Sequence, residues 1–177
     1  FRKTYGNDFQ YAGFSVTTDA ADNIYVLGTF LGSIDMDPGP GVFNLSSSGG
    51  RDVFIQKLNS DGEFVWAKNI GGNGSVLGWN ITIDTAGDLI VSGGYDGIAD
   101  FDPGTAVRNS ASVDNQRDVF VVKLNSNGDY LWHQTIGTTG LDNAMSAAAD
   151  SMGNIVLTGI FANTMDFDPG NNSFELT

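Results

Sequence analysis

The chain has 177 residues, of which 41% are hydrophobic and 16% charged, and this composition excludes a disordered, charge-rich protein. Asp and Glu outnumber Lys and Arg by 21 to 8, so the net charge of −13 argues against nucleic acid as a partner. The absence of cysteine excludes disulfides and thiolate metal sites, and no apolar run is long enough for membrane insertion.

Short runs of β-branched and aromatic residues, bounded by turn residues, predict β-strands along the whole chain. In chain order the predicted strands lie at 14–17, 23–28, 53–58, 80–83, 89–93, 119–124, 130–136, 145–148 and 154–159, and 64–66 aligns with the start of the strand 130–136. A further short strand is predicted at 41–45. The Ala-rich stretch 141–150 is compatible with a turn of helix, but we predict a strand because the stretch aligns with 80–84.

Short turn sequences join most of these strands. The Asp-Gly and Asn-Gly pairs in 59–62 and 125–128 predict hairpins, because both central positions of such turns tolerate positive φ. The segments 19–23, 84–88 and 150–154 join the first and second strands of each group in the same way.

The sequence repeats with a period of about 66 residues. The segment 52–66 returns as 118–132, an offset of 118 − 52 = 66, and a second block occurs at 23–28, 88–93 and 154–159. An Asp-x-Asp-Pro-Gly block keeps the same spacing at 35–39, 100–104 and 166–170. The recurring structural positions are Phe54 and Phe120, Gly28, Gly93 and Gly159, and Trp66 and Trp132, where Phe1 also aligns.

Four antiparallel strands repeated in tandem form the blade of a β-propeller. We therefore predict an all-β fold, a β-propeller of four-stranded antiparallel blades with fewer than three blades in this chain. The single repeat region 1–177 divides into the end of a preceding blade (1–13), two full blades (14–72 and 73–138) and the first half of a third (139–177).

Three patterns resemble the SBBP family of bacterial β-propeller repeats over nearly the whole chain. They are D-x-x-G-N-I-x-x-x-G at 150–159, D-x-F-x-x-K-L-N-x-x-G at 118–128 and W-x-x-x-I-G at 132–137. The resemblance implies a secreted or cell-surface bacterial protein with no catalytic residues in the repeat itself. The long segment after the second strand of each unit departs from the family pattern.

The Asp-x-Asp-Pro-Gly blocks allow two interpretations. Their carboxylates are hard oxygen ligands and could bind Ca²⁺, or the block could form only a turn, with Pro presetting φ. The turn interpretation explains why the second Asp of each block is present, but it gives the first Asp no role. The candidate calcium ligands are Asp35, Asp37, Asp100, Asp102, Asp166 and Asp168. We expect these loops at the same end of each blade as the Gly-rich loops 71–74 and 137–140.

The aromatic residues also allow two interpretations. Trp66 and Trp132 either stack on sugars or pack between blades, and we favour packing because large aromatics bury the most area. Trp79 has no Trp counterpart at the repeat spacing and is the candidate contact for a ligand or partner.

No enzyme is expected. The single histidine, His133, aligns with Ala67, so the repeat does not require it, and nucleophile–base pairs and histidine-rich zinc sites are disfavoured. Glycosidase chemistry with carboxylates alone stays open.

The predicted function is a non-enzymatic extracellular or cell-surface scaffold for protein interaction, adhesion or assembly, with Ca²⁺ as the only cofactor considered. The alternatives are a glycan-binding or glycan-processing propeller and a self-assembling subunit of a ring or filament. The partners expected are further blades of a longer chain or identical copies, and a cell-surface protein or glycan.

Overall fold

The computed structural model describes residues 11–168 and 173–177, and in these residues the predicted all-β class is confirmed. The strands are β1 (Tyr11–Thr18), β2 (Ile24–Phe30), β3 (Ser33–Asp35), β4 (Asn44–Ser46), β5 (Asp52–Leu58), β6 (Phe64–Gly72), β7 (Val76–Ile83), β8 (Leu89–Tyr95), β9 (Ile98–Asp100), β10 (Asn109–Ala111), β11 (Asp118–Leu124), β12 (Tyr130–Ile136), β13 (Asn143–Ala149), β14 (Ile155–Ile160), β15 (Met165–Asp166) and β16 (Glu175–Leu176). A 3₁₀ turn spans Val113–Asn115. No helix in the described residues is long and apolar enough to cross a membrane.

The strands form three repeated units. The first unit contributes the antiparallel strands β1-β2-β5-β6, which β9 and β10 extend to a six-stranded sheet. The second unit is the sheet β7-β8-β11-β12, and the third contributes the pair β13-β14. Between the second and third strands, each of the first two units carries an inserted two-stranded hairpin, β3-β4 or β9-β10. The pair β15-β16 is the equivalent in the third unit, and we call these three the insert hairpins.

Several strand boundaries differ from those expected. β1 begins at Tyr11, inside the segment 1–13 assigned to a preceding blade, and β7 and β13 also begin before their predicted starts. The predicted strand 41–45 overlaps only the start of β4, because the segment folds into a hairpin with β3. The Ala-rich stretch contains β13, a strand. Phe1 and residues 1–10 lie outside the described residues.

The hairpins between third and fourth strands close by a mechanism other than the expected one. The Asn59 side-chain oxygen accepts the backbone N–H groups of Asp61 and Glu63 at 3.0 and 2.8 Å, and Asn125 does the same in the second unit. Only the glycine of each turn, Gly62 or Gly128, has positive φ. The turn therefore needs one permissive residue and one Asn acceptor, rather than two positions at positive φ.

The main core lies between the first and second sheets. Alternate side chains of each strand point to opposite faces, so each sheet has one apolar face for each neighbour. The buried residues that meet at this interface include Tyr25, Leu27, Val53, Ile55, Ile70, Leu89, Val91, Phe120, Val122 and Leu124. A smaller cluster joins the second sheet to the third unit through Ile90, Val121 and Ala147. Stacking of consecutive units thus buries the apolar faces.

The first strands of the three units lie next to one another, with β7 in contact with both β1 and β13. The Ser15 hydroxyl oxygen accepts the backbone N–H of Ile81 at 3.3 Å, and the Asn80 side-chain oxygen accepts the N–H of Ala147 at 3.1 Å. The two contacts are equivalent, because Ser15 and Asn80 occupy matching positions. This radial arrangement around the first strands is propeller-like.

The Phe120 ring is fully buried between the first two sheets, so Phe120→Ala should destabilise the chain by about 3–5 kcal/mol. The matched control is Val107→Ala, because Val107 is exposed on an insert hairpin; its effect should stay within about 0.5 kcal/mol. Urea denaturation followed by circular dichroism measures both. A loss below about 1 kcal/mol for Phe120→Ala would contradict this view of the interface.

Candidate functional site

The insert hairpins are the candidate binding surface, because they are the longest connections on a stacked scaffold. In the second unit the hairpin starts beside the preceding sheet, where Gly71 of β6 pairs with Asp100 of β9. A cavity of about 180 Å³ lies there, lined by residues of both units, including Asn69 and Pro103. The block 100–104 therefore lies near Gly71 of the Gly-rich loop 71–74, as expected from the sequence.

The tip of the first insert hairpin lies elsewhere. Pro38 and Gly39 line a groove of about 410 Å³ together with Gly62 and Glu63, which belong to the turn between β5 and β6. The expectation that the whole block lies at the end with the Gly-rich loops is therefore wrong for this unit. The hairpin packs along its own sheet through Ile34 and Met36, which carries its tip to the opposite end.

The first Asp of each block fastens the hairpin. Asp100 Oδ1 accepts the backbone N–H groups of Asp102 and Arg108 at 3.1 and 2.8 Å, so it joins both sides of the loop. Asp35 accepts equivalent N–H groups from residues 37 and 43, and Asp166 from residues 168 and 174. Sequence reasoning gave the first Asp no role in the turn, because the partner eight residues further on is not visible as a motif.

The second Asp of the block makes the turn. Asp37 Oδ1 accepts the N–H of Gly39 at 2.7 Å, and Asp102 Oδ1 accepts that of Gly104 at 2.8 Å. Part of the third block, 169–170, lies outside the described residues. In the described residues no group of three or more His, Asp or Glu side chains could hold one metal ion. Calcium binding by these Asp residues stays a prediction.

Substitutions at Asp100 separate the two roles. Asp100→Ala removes the acceptor for two N–H groups and should lower the free energy of unfolding by about 1–2 kcal/mol. Asp100→Asn keeps an oxygen acceptor and should stay within about 0.5 kcal/mol of the parent chain. Thermal melts in chelator and in CaCl₂ measure both. A Ca²⁺-dependent rise in Tm that Asp100→Asn abolishes would instead favour a metal ligand.

The insert hairpins also expose apolar side chains next to their carboxylates. Val42 is 72% exposed, its counterpart Val107 is 64% exposed, and Phe174 of the third hairpin is 60% exposed. Val42 and Val107 occupy equivalent positions of consecutive units, whereas Phe174 lies one position further on, where the first two units carry Phe43 and Arg108.

Asp52 and Asp118 carry buried carboxyl groups that were not predicted from the sequence, although both residues begin the repeated Asp-x-Phe segment. Asp52 Oδ2 accepts hydrogen bonds from Asn69 Nδ2 and the N–H of Ser48, and Asp118 Oδ2 accepts the N–H of Val113. Burial raises the pKa of each to about 6. The repetition of the Asp was visible, but only the fold shows that the position is buried.

These two groups make stability depend on pH. Their pKa of about 6 in the folded state lies above the ordinary value of 3.8, so the folded chain binds protons more tightly than the unfolded chain. The free energy of unfolding should therefore fall as pH rises from about 4 to about 6, by ~1–3 kcal/mol per group, and stay low at pH 7. Asp118→Asn should reduce this slope by about half, because Asp52 keeps its contribution. Urea titrations between pH 4.5 and 7.5 measure it.

The matched control for that slope is Asp61→Asn, an exposed position at which the next unit carries Asn127. Other carboxyl groups, such as those of Asp19 and Asp150, accept hydrogen bonds within their turns and have a lowered pKa. Their contribution to stability is lost only when they are protonated at a pH below the range of this titration. An equal slope in Asp118→Asn and Asp61→Asn would rule out the buried carboxyl as the cause.

Trp79 lies at a bulge in β7 and contacts two neighbouring strands. Its ring meets Phe14 edge to face at 4.8 Å between centroids, and its indole N–H donates to Asn143 Oδ1 at 3.2 Å. Phe14 and Met145 occupy the same bulge position in the other units, so a large apolar residue does recur there, although Trp does not. A ligand or partner contact at the half-buried Trp79 stays a prediction.

Two of the repeated aromatic residues, Trp66 and Trp132, lie between units. Trp66 packs against the main core, with its ring 6.1 Å from that of Tyr25, and Trp132 packs against the cluster shared with the third unit. The Phe54 and Phe120 rings lie against Gly28 and Gly93, where a Cβ atom would clash with them.

His133 fastens the second insert hairpin to β12. Its Nε2 lies 3.0 Å from the Ser110 hydroxyl, its Nδ1 lies 2.9 Å from the Tyr130 hydroxyl, and the ring stacks on Phe101 at 4.7 Å. Burial lowers its pKa. The sequence gave no reason to place Ser110 beside the histidine. Because both ring nitrogens have partners and one ring face is covered, the arrangement suits positioning of the hairpin.

Comparison with known proteins adds one relative. No family model matches the chain. Over 121 residues, 60% of this chain, it is 26% identical to an uncharacterised WD repeat-containing protein of Acanthamoeba polyphaga mimivirus, of which the match covers 9%. WD repeats build four-stranded propeller blades, so this likeness supports a propeller-like fold. The resemblance to SBBP repeats stays a prediction.

Proposed function

We propose that this chain is a non-enzymatic, propeller-like scaffold that binds a protein partner through its insert hairpins. The observation that carries the proposal is the recurrence of exposed apolar side chains beside carboxylates on the hairpins of stacked units. Stacking fixes the spacing between hairpins, so a partner would meet several similar contacts at once. The likeness to a WD repeat protein supports an interaction role in general.

Closure and location are further parts of the proposal. Propellers close with about 4–8 blades, so a closed ring would need units in addition to those in the described residues. The SBBP resemblance supports a secreted or cell-surface site of action, and we propose an adhesive role there.

Site-specific photo-cross-linking tests the binding surface. A photoreactive residue at Val107, on the second insert hairpin, should give adducts of defined mass with macromolecules of the source material. The control places the same group at Met152, which is 82% exposed in the turn between β13 and β14. Combining Val42→Ser and Phe174→Ser should reduce the yield from position 107 at least tenfold if several hairpins share one partner. Equal adducts from positions 107 and 152, or none from either, would refute the proposal.

A further inference from the structure

The cavity between the first and second units is lined by polar groups of both. Its volume of about 180 Å³ is below the ~300–1,000 Å³ of pockets for drug-sized ligands, so it suits a single side chain. The first unit contributes Ser48, Asn69 and Gly71, and the second contributes the block 100–104 of its insert hairpin. Both units have all four strands, so the cavity is a feature of the junction between them.

The carboxyl group of Asp52 lies directly behind the cavity wall. Gly71 lines the cavity, and a Cβ atom at this position would overlap the carboxyl carbon and both carboxylate oxygens of Asp52. Asp52 Oδ2 accepts hydrogen bonds from Asn69 Nδ2 at 2.9 Å and from the N–H of Ser48 at 3.1 Å. Because both donor residues also line the cavity, three wall residues touch this one carboxyl group.

One oxygen of this buried carboxyl group is left without a hydrogen bond. Asp52 is 0% exposed, and its Oδ1 atom has no hydrogen-bond donor among the described residues. A buried carboxylate that is not fully paired is costly, and burial raises the pKa of Asp52 to about 6. The salt bridges of Lys68 and Lys123 go to other carboxylates. A cation in the cavity would supply the missing positive charge.

Two further carboxylates line the same cavity. The Oδ1 atoms of Asp100 and Asp102 accept the N–H groups that fasten the insert hairpin, and these hydrogen bonds do not use Oδ2. The backbone of Asp100 pairs with that of Gly71, so the hairpin brings its carboxylates to the wall that covers Asp52. Negative charges of two units are therefore concentrated around one small cavity.

The arrangement of these groups favours a planar cation over a metal ion. In the described part of the chain, no three carboxylates are close enough together to hold one metal ion. A guanidinium group carries five N–H donors in a fixed fork, so it can join acceptors that are too far apart for one ion. It is also more weakly hydrated than an ammonium group, which lowers the cost of burying it.

We propose that this cavity binds the guanidinium group of an arginine side chain, contributed by the protein partner of the insert hairpins. The guanidinium donates hydrogen bonds to the carboxylates of Asp100 and Asp102, and its charge compensates that of Asp52 behind Gly71. The inference deepens the proposed function and rests on it for the source of the arginine. The affinity of the cavity for guanidinium can be measured without that partner.

The peptide acetyl-Gly-Arg-Gly-amide is the probe, and the same peptide with citrulline in place of arginine is its uncharged control. Titrated into the ¹⁵N-labelled chain at pH 7 and constant ionic strength, the arginine peptide should shift the backbone amide resonances of Ser48, Gly71 and Gly104 saturably. The citrulline peptide should give no saturable shift. A lysine peptide should bind at least threefold more weakly, because an ammonium group lacks the planar fork.

Asp52→Asn separates the charge from the structure, since an amide oxygen can still accept the two hydrogen bonds to residue 52. It should weaken binding of the arginine peptide at least fivefold. The matched control is Asp118→Asn, the equivalent buried position, whose neighbours Val113 and Gly137 do not line the cavity. This variant should bind the peptide as the parent chain does.

The pH dependence of binding gives a second readout. A bound cation favours the ionised form of Asp52, so the affinity for the arginine peptide should rise between pH 5 and pH 7. The rise should be smaller in Asp52→Asn and unchanged in Asp118→Asn.

Four results would overturn the proposal: no saturable binding of the arginine peptide, equal binding by Asp52→Asn and the parent chain, equal binding of the citrulline or lysine peptide, and displacement of the arginine peptide by CaCl₂ at matched ionic strength. Photo-cross-linking from position 107 is independent of these results. Adducts at position 107 without peptide binding would remove the arginine site and leave the scaffold role in place. Peptide binding without adducts would support the site and refute the scaffold role.

Discussion

Burial of one sheet against the next is the interaction on which the rest of this structure depends. Each four-stranded sheet has two apolar faces, and a single sheet in water would leave both exposed. Tyr25, Val53 and Phe120 are removed from water only because the first and second sheets stack. The hydrophobic contribution of such an interface scales with the apolar area it covers, which the repeat supplies at every junction. Turns, insert hairpins and hydrogen bonds between first strands then fix how the stack is aligned.

The strands and their repetition could be predicted from sequence because both are local or periodic signals. Alternation in 119–124 gives the two faces of β11, and matching blocks 66 residues apart reveal equivalent units. The position of the insert hairpins could not be predicted in this way. Their path depends on Ile34 and Met36 packing onto the sheet, a tertiary contact that no turn motif encodes.

In the candidate site, too, some features could be predicted from the sequence and others depend on tertiary contacts. The turn formed by the second Asp of each block follows from Pro and Gly chemistry, whereas the contact of Asp100 with the N–H of Arg108 needs the loop to close first. Asp118 is buried beside Val113 and Gly137, which the fold brings to it, so its raised pKa could not be read from the sequence. Trp79 shows why residue identity alone misses an equivalent position, because the same bulge carries Phe14 in β1 and Met145 in β13.

The hydrogen bonds between first strands give the stack a polarity. The acceptor side chain always belongs to the earlier unit, as in Ser15 and Asn80, and the backbone donor belongs to the later one, as in Ile81 and Ala147. Two surfaces of this kind are complementary but not alike, so a twofold axis cannot relate them. Any extension of the array through these contacts must therefore be head to tail, and it must end in a closed ring or continue as an open helix, according to the rotation between units.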